Sequence, residues 1–178
     1  MSKISKEQQH KDEKKVLEQL LKDASQSIDM IGKACGFSRQ KVWRIIKRLE
    51  EDATIWGQHA VINDEMLDLR SFFALIKKTD LPAADIADII IKRDLDKLGA
   101  EIGVSVVDSI YVYGTYDWVI EFAAEDMKQA NKFCEILRIM YKGYISKIDL
   151  LEQLFAIKKC GMLNPNKEDL IEHISLSI

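Results

Sequence analysis

The densest group of side chains with a chemical use lies in one predicted helix that begins after Ser38. It contains five basic residues and no acid before Leu49. The five are Arg39, Lys41, Arg44, Lys47 and Arg48. Arginine forks read the edges of DNA bases, and lysines pair with phosphates. The alternative is a solvated cationic helix face with no ligand, which is the usual outcome for a run of charge.

The helical period divides this helix into an inner and an outer side. At 100° per residue, Val42, Ile46 and Leu49 point into a core. The residues directed outward are Arg39, Gln40, Trp43, Arg44 and Lys47. We predict DNA contacts from Ser38, Arg39, Gln40, Lys41, Trp43, Arg44, Lys47 and Arg48. For Trp43, partly buried packing is the more common role of such a residue, and Ser38 is also a good helix cap.

The elements around this helix predict a helix-turn-helix with a wing. A first helix spans residues 12–22, and a second follows the cap residue Ser27 and ends at Gly36. Two helices joined by a short glycine-containing turn are typical of DNA-binding proteins. Residues 54–56 and 59–62 flank Gly57-Gln58 and predict a small β-hairpin. A hairpin directly behind such a unit would act as a wing on the adjacent DNA backbone.

The rest of the chain predicts a second, different unit. Hydrophobic patterns alternate in the order strand, helix, strand, strand, helix, strand. The predicted ranges are 72–77, 83–98, 104–113, 118–123, 125–141 and 145–156. This βαββαβ order predicts a ferredoxin-like sheet with both helices on one face, and an α+β fold class for the whole chain. A second copy of the chain is the simplest cover for the bare sheet face.

Composition supports two units and excludes a membrane span. The chain has 178 residues, 47% of them hydrophobic, and a net charge of −3. Residues 1–62 carry a net charge of +3 and residues 63–178 a net charge of −6. The N-terminal segment is therefore the one suited to a polyanionic partner. The longest stretch without charged residues has eleven residues, against about 20 for a spanning helix. No secretory signal or disulfide framework is evident, and we expect a cytoplasmic protein.

We predict four segments from these patterns. They are a DNA-binding domain at 1–63, a connector at 64–70, a ferredoxin-like domain at 71–160, and a tail at 161–178.

Enzyme and metal chemistry finds little support in the sequence. His10, His59 and His173 are far apart and have no Cys, His or acid at ligand spacing. Ser38 and Lys41 match an SxxK pattern, but the accompanying motifs of serine acyl-enzymes are missing. We therefore expect no catalytic residue, no metal and no cofactor.

One carboxylate outside the basic helix could bind a ligand. Asp117 closes a loop between two predicted strands, just after Gly114. It could receive the amino group of a small molecule, or it could be satisfied by amides of its own turn. The sequence leaves both roles open.

These residues resemble a known family. Ser38, Val42, Ile55, Gly57 and the Lys-Arg-Leu-Glu run at 47–50 resemble the winged helix-turn-helix of the Lrp/AsnC (feast/famine) transcription regulators. Residues 113–118 resemble the Gly-x-aromatic-Asp loop of that family's ligand-sensing (RAM) domain. The resemblance implies homodimers, assembly into tetramers or octamers, and palindromic double-stranded DNA sites. It also implies that the domain at 71–160 is an effector-binding and oligomerisation domain. Amino-acid-like effectors would bind near Gly114, Thr115, Tyr116 and Asp117.

The chain departs from the family pattern at three places. It has Ile45 where arginine is usual, Ala53 where glycine precedes the wing, and charge at 146–149 where threonines help to hold an effector. An unusual effector, or none, is therefore an alternative. A siroheme-decarboxylase-like enzyme on the same fold is another, although its arginines and histidine would be Arg70, Arg93, Arg138 and His173, which are widely spaced. A third alternative is an assembly protein whose basic helix has lost its function.

Overall fold

The computed structural model describes residues 5–82, 87, 95–166, 168 and 171. Its contacts divide the chain into two compact units, Met1–Val61 and Ile62–Ile178. Part of the helix predicted at 83–98, the end of the tail, Arg93 and His173 lie outside the described residues.

The first unit is built from three helices around one small core. They are α1 (Lys6–Lys22), α2 (Ile28–Cys35) and α3 (Arg39–Glu51). Their fully packed side chains are Val16, Ile31, Val42, Ile45 and Leu49. The predicted inner face of α3 is thus confirmed at Val42 and Leu49, while Ile46 is only partly buried.

The caps that the sequence predicts are present. Ser27 Oγ accepts the amide of Met30, and Gly36 ends α2 in the left-handed conformation at φ 70°. Ser38 Oγ accepts the amide of Lys41 at 3.3 Å and so begins α3. These caps satisfy backbone groups that a helix end leaves without partners.

The second unit is a four-stranded antiparallel sheet with helices on one face. Its strands are β1 (Arg70–Lys78), β2 (Ser105–Tyr111), β3 (Trp118–Ala124) and β4 (Ile145–Glu152), in the spatial order β2-β3-β1-β4. The described part of the first helix is α4 (Leu95–Glu101), and the second is α5 (Met127–Met140). Both helices pack on the sheet face that carries Phe72, Ala74 and Ile76. The predicted ferredoxin-like fold is confirmed.

Two features of the second unit lie outside the predicted elements. A 3-10 turn (Asp64–Leu67) precedes β1, and β5 (Lys158–Lys159) pairs with β6 (Met162–Leu163). Lys159 Nζ lies 2.6 Å from the Asp64 carboxylate, which also accepts a hydrogen bond from Ser71. This small hairpin spans residues 160 and 161, between which the sequence predicts the boundary of the domain and the tail.

The predicted wing hairpin is wrong. The structure describes all of residues 54–63 and assigns no strand to them. Only Ile55 of this segment packs on the three-helix core, and Trp56 is 95% exposed. A short two-stranded hairpin is marginal in water unless another element covers one face. The pair Gly57-Gln58 between two apolar segments predicted strands, but within the described residues of this unit Ile55 alone of the segment is packed against the core.

Candidate nucleic-acid interface

The α2–α3 turn fixes the direction in which α3 leaves the first unit. The Phe37 amide donates to the Gly32 carbonyl at 2.8 Å and closes the turn. A Cβ at position 32 would lie 2.8 Å from the Phe37 carbonyl oxygen, so this close approach requires glycine. The turn therefore fixes which side of α3 faces solvent.

Exposure along α3 follows the helical period. Arg39, Gln40, Trp43, Arg44 and Lys47 are all exposed, and we call these five residues the outer face. Lys41 and Arg48, which the sequence also proposes for DNA contact, are only partly exposed. The predicted residues therefore form two groups with different surroundings.

The partly exposed group is ion-paired to α1. Lys41 Nζ lies 2.7 Å from Asp12, whose side chain is almost fully buried, and 3.8 Å from the centre of the Phe37 ring. Hydrogen bonding to Lys41 lowers the pKa of Asp12 below its ordinary value, although burial acts in the opposite direction. Arg48 pairs with Glu13. These two cations hold α3 against α1.

Two cations of the outer face also have acidic neighbours, but in exposed positions. Arg39 Nη1 lies 2.8 Å from Asp29 on α2, with both side chains more than half exposed. Lys47 pairs with Glu50 one turn later on α3, and this pair raises the pKa of Lys47. Exposed pairs of this kind contribute little to stability and can exchange partners, so a phosphate can compete for either cation.

A groove of about 460 Å³ lies on the outer face of α3. It is lined by Ile28, Arg39, Gln40, Trp43 and Arg44. The Arg44 Nε donates to the Gln40 carbonyl at 3.3 Å, which orients the guanidinium along the helix. Trp43 is 51% exposed and is not part of the hydrophobic core. An indole, two guanidiniums and an amide on one open face can contact the edges of bases in a major groove.

Sequence reasoning missed the partners of these residues. Ile28, Asp12, Glu13 and Asp29 carry no motif, and each looks like an ordinary residue of an amphipathic helix. The absence of acids between Ser38 and Leu49 was the available signal. Arg39, Lys41 and Arg48 pair with carboxylates on α2 and α1, while Lys47 pairs with Glu50 at the end of α3.

Comparison with known proteins supports the assignment of the first unit as a DNA-binding helix-turn-helix. Residues 13–52 match the family model HTH_24, described as winged helix-turn-helix DNA-binding. The HTH-type transcriptional regulator FL11 of Pyrococcus furiosus is 26% identical over 126 residues, which are 70% of this chain and 77% of that protein.

Two solved structures share the architecture over nearly their whole length. An AsnC family transcriptional regulator from Agrobacterium tumefaciens has a TM-score of 0.60 and 18% identity, covering 86% of this chain and 95% of that one. The feast or famine regulatory protein of M. tuberculosis, complexed with L-methionine, has a TM-score of 0.62 and 17% identity, covering 84% and 94%. The chain has the fold of the Lrp/AsnC regulators. The resemblance drawn from the sequence is confirmed.

The second site that the sequence predicts is the loop at residues 114–117. Two of its polar side chains form hydrogen bonds with other residues of the same chain. Asp117 Oδ2 accepts the Lys78 amide at 3.0 Å, so its carboxylate joins the loop to the end of β1. The Tyr116 hydroxyl donates to Asp149 at 2.9 Å, and this hydrogen bond raises the pKa of Tyr116. Gly114 and Thr115 are exposed.

Two charged residues of β4 contribute to this arrangement. Asp149 accepts from Tyr116 and lies 2.8 Å from Lys147 Nζ. Hydrogen bonds from Lys147 and then from Tyr116 lower the pKa of Asp149. Asp149 therefore stays ionised beside the loop.

The described part of the chain also bears on the metal and enzyme alternatives. Within it, no three His, Cys, Asp or Glu side chains are grouped so as to hold a metal ion. Of the arginines that the enzyme alternative requires, Arg70 pairs with Glu152 at 3.1 Å and Arg138 is exposed on α5. No helix among the described residues is long and apolar enough to cross a membrane.

Proposed function

We propose that this protein is a sequence-specific DNA-binding transcription regulator of the Lrp/AsnC type. The outer face of α3 supports this proposal most directly. It presents Arg39, Gln40, Trp43, Arg44 and Lys47 to solvent on a helix whose rear cations are fixed to α1. A rigid helix with an exposed cationic face suits a major groove, which is wide enough to admit one helix.

The two groups of cations take different roles in this proposal. Arg39, Gln40 and Arg44 contact base edges, because they line one open groove. Lys47 contacts a phosphate, since it needs to give up only an exposed partner on its own helix. Lys41 and Arg48 act mainly by positioning α3, and Ser38 acts by capping it.

The first experiment measures binding of the full-length protein to duplexes selected from a random pool. Wild-type affinity should fall as salt rises, because displaced counterions drive phosphate contacts. Arg44→Ala should relax selectivity at one base pair by roughly 1–3 kcal/mol. Arg138→Ala is the matched control, since it removes an exposed arginine from α5 in the second unit. Full discrimination by Arg44→Ala would contradict the assignment of Arg44.

Assembly and effector binding form the second part of the proposal. The protein acts as a homodimer or a higher assembly that places two α3 helices about 34 Å apart on one face of DNA. An amino-acid-like effector binds near residues 114–117 and shifts the population between assemblies. This part is supported by the shared fold and by a structural neighbour that is complexed with L-methionine.

The effector proposal is tested by thermal unfolding and sedimentation with a panel of amino acids. At least one should raise the melting temperature of the wild type or change its assembly. Asp117→Asn should remove this response while keeping an oxygen that accepts the Lys78 amide. A melting temperature and assembly that no amino acid changes would favour a regulator without an effector of this class.

A further inference from the structure

Trp43 is not explained by the folding of its own unit. The three-helix core is complete without it, and the side chain stands half exposed in the middle of α3. Burying an aromatic side chain of this size is favourable, and exposed aromatic residues at the centre of a patch are typical of binding surfaces. Something outside the described residues of this unit is therefore expected to cover the indole.

The surroundings of Trp43 indicate the kind of molecule that covers it. The groove is lined by two apolar side chains, Trp43 and Ile28, and by three polar ones, Arg39, Gln40 and Arg44. Lys47 follows Trp43 by one helical turn on the same face. Apolar and cationic side chains that line the same groove are complementary to a small apolar group carried by a polyanion.

DNA offers one such group in the major groove. Thymine carries a C5-methyl, which is the only apolar group among the base edges there, and protein readout of thymine uses apolar contact with it. We propose that Trp43, which lines the groove together with Ile28, contacts a thymine methyl and makes the protein select an A·T pair at that position. This inference rests on the proposed function, because it requires α3 to lie in a major groove.

Helix geometry places the thymine next to the bases contacted by Gln40 and Arg44. Trp43 precedes Arg44 by one residue and follows Gln40 by three, so the three side chains lie within about one turn. One turn rises about 5.4 Å, which is comparable to two steps between base pairs at about 3.4 Å each. The selected thymine should therefore lie within two base pairs of the position that loses discrimination in Arg44→Ala.

The test replaces thymine by deoxyuridine, which removes the methyl group and keeps every hydrogen-bonding group of the base. Full-length wild-type protein is titrated against its selected duplex, with one thymine replaced at a time. At one position in each half-site, wild-type affinity should fall about fourfold, the loss expected for one buried methyl group. Trp43→Ala should bind both duplexes with equal affinity.

Two further variants keep the test decisive. Trp43→Met retains an apolar side chain and should keep part of the preference for thymine. Trp56→Ala is the matched control, because it removes an even more exposed tryptophan outside α3 and should keep the wild-type ratio. Thermal melting checks that each variant folds, and any variant that does not is omitted from the ratio.

The outcomes separate this inference from the proposed function. If wild-type protein enriches no duplex, both are overturned. If it binds a selected duplex but is insensitive to deoxyuridine everywhere, or if Trp43→Ala keeps the full preference, only the thymine contact is overturned. A change in self-association of Trp43→Ala with an unchanged thymine preference would assign the groove to a protein partner instead.

Discussion

The outer face of α3 and the loop at 114–117 use their charged groups in opposite ways. On α3, carboxylates from α1 hold the rear cations Lys41 and Arg48, and the outer face keeps its exposed side chains. In the loop, the carboxylate of Asp117 is bonded to the backbone of β1. Arg39 and Lys47 of the outer face pair with exposed carboxylates, whereas Asp117 must give up a hydrogen bond to the backbone before it can bind a ligand.

This difference shows how polar residues at a site divide between positioning and binding. A group that is buried or bonded to an ordered backbone amide contributes to folding, and its removal is measured as lost stability. A group with an exposed partner can change partners at little cost, and its removal is measured as lost affinity. Variants of both sites can therefore test the division.

The largest expected effect belongs to Lys41→Ala. It leaves the buried Asp12 carboxylate with Gln8 as its remaining side-chain donor, so unfolding free energy should fall by about 1–3 kcal/mol. Lys41 lowers the pKa of Asp12, so the wild-type pair stabilises the fold above the ordinary pKa of 3.8. That contribution is lost as pH falls through the lowered pKa. Denaturant unfolding at neutral and acid pH measures both effects.

Lys47→Ala is the control on the same helix. Its partner Glu50 is exposed, so the unfolding midpoint should stay close to that of the wild type while affinity for DNA falls. If Lys47→Ala destabilised the protein as much as Lys41→Ala, the division of α3 into positioning and binding cations would be wrong.

Asp117→Ala tests the same division in the loop. It removes the acceptor of the Lys78 amide, and stability should fall by about 1 kcal/mol without any ligand present. Asp117→Asn retains an oxygen acceptor and should lose less. Chemical denaturation of the two variants measures the difference; equal stability of Asp117→Ala and the wild type would make Asp117 a free ligand group instead of a structural one.

The helical part of the α3 site could be predicted because periodicity determines which side chains are exposed. Val42 and Leu49 are buried while Arg44 and Lys47 are exposed, as a 100° step requires. The cap residues Ser27 and Ser38 were equally predictable, since their side chains bond to amides three residues away. Local spacing carries all of this information.

Contacts between distant segments could not be predicted in the same way. Lys41 meets Asp12 across 29 positions, and Tyr116 meets Asp149 across 33. Many acids in the sequence could have served either partner, and only the packing of helices or the register of strands selects one. The hairpin prediction at 54–62 failed for a related reason: a local pattern cannot show whether another element covers the strands, and among the described residues of this unit only Ile55 of the segment packs on the core.

Ala53→Gly tests the link between α3 and the segment predicted as a wing. Ala53 has a φ of 57°, a left-handed conformation that costs a residue with a side chain about 1–2 kcal/mol. Glycine removes this strain but loses more entropy on folding, so the net gain should be about 0.5–1 kcal/mol. Thermal melting measures the gain, with Ala34→Gly, within α2, as a control that should lose stability. A loss in Ala53→Gly would contradict the left-handed end of α3.

The smallest expected effect concerns the sheet face that the helices leave open, where Glu121 on β3 stands opposite Asp108 on β2. Burial, and then the charge of Asp108, raise the pKa of Glu121 above 4.5, while Lys159 lowers it and Asp64 raises it further. The folded state therefore binds this proton more tightly than the unfolded state, and its stabilising effect is lost as pH rises through the raised pKa.

Glu121→Gln should be more stable than the wild type by about 0.5 kcal/mol at neutral pH, because it removes a repulsion between directly opposed carboxylates. Denaturant titrations from pH 4 to 7 measure this, with the exposed Glu125→Gln as control. If the two substitutions shifted stability equally, the effect would reflect net charge, and the open face would carry no opposed pair to relieve.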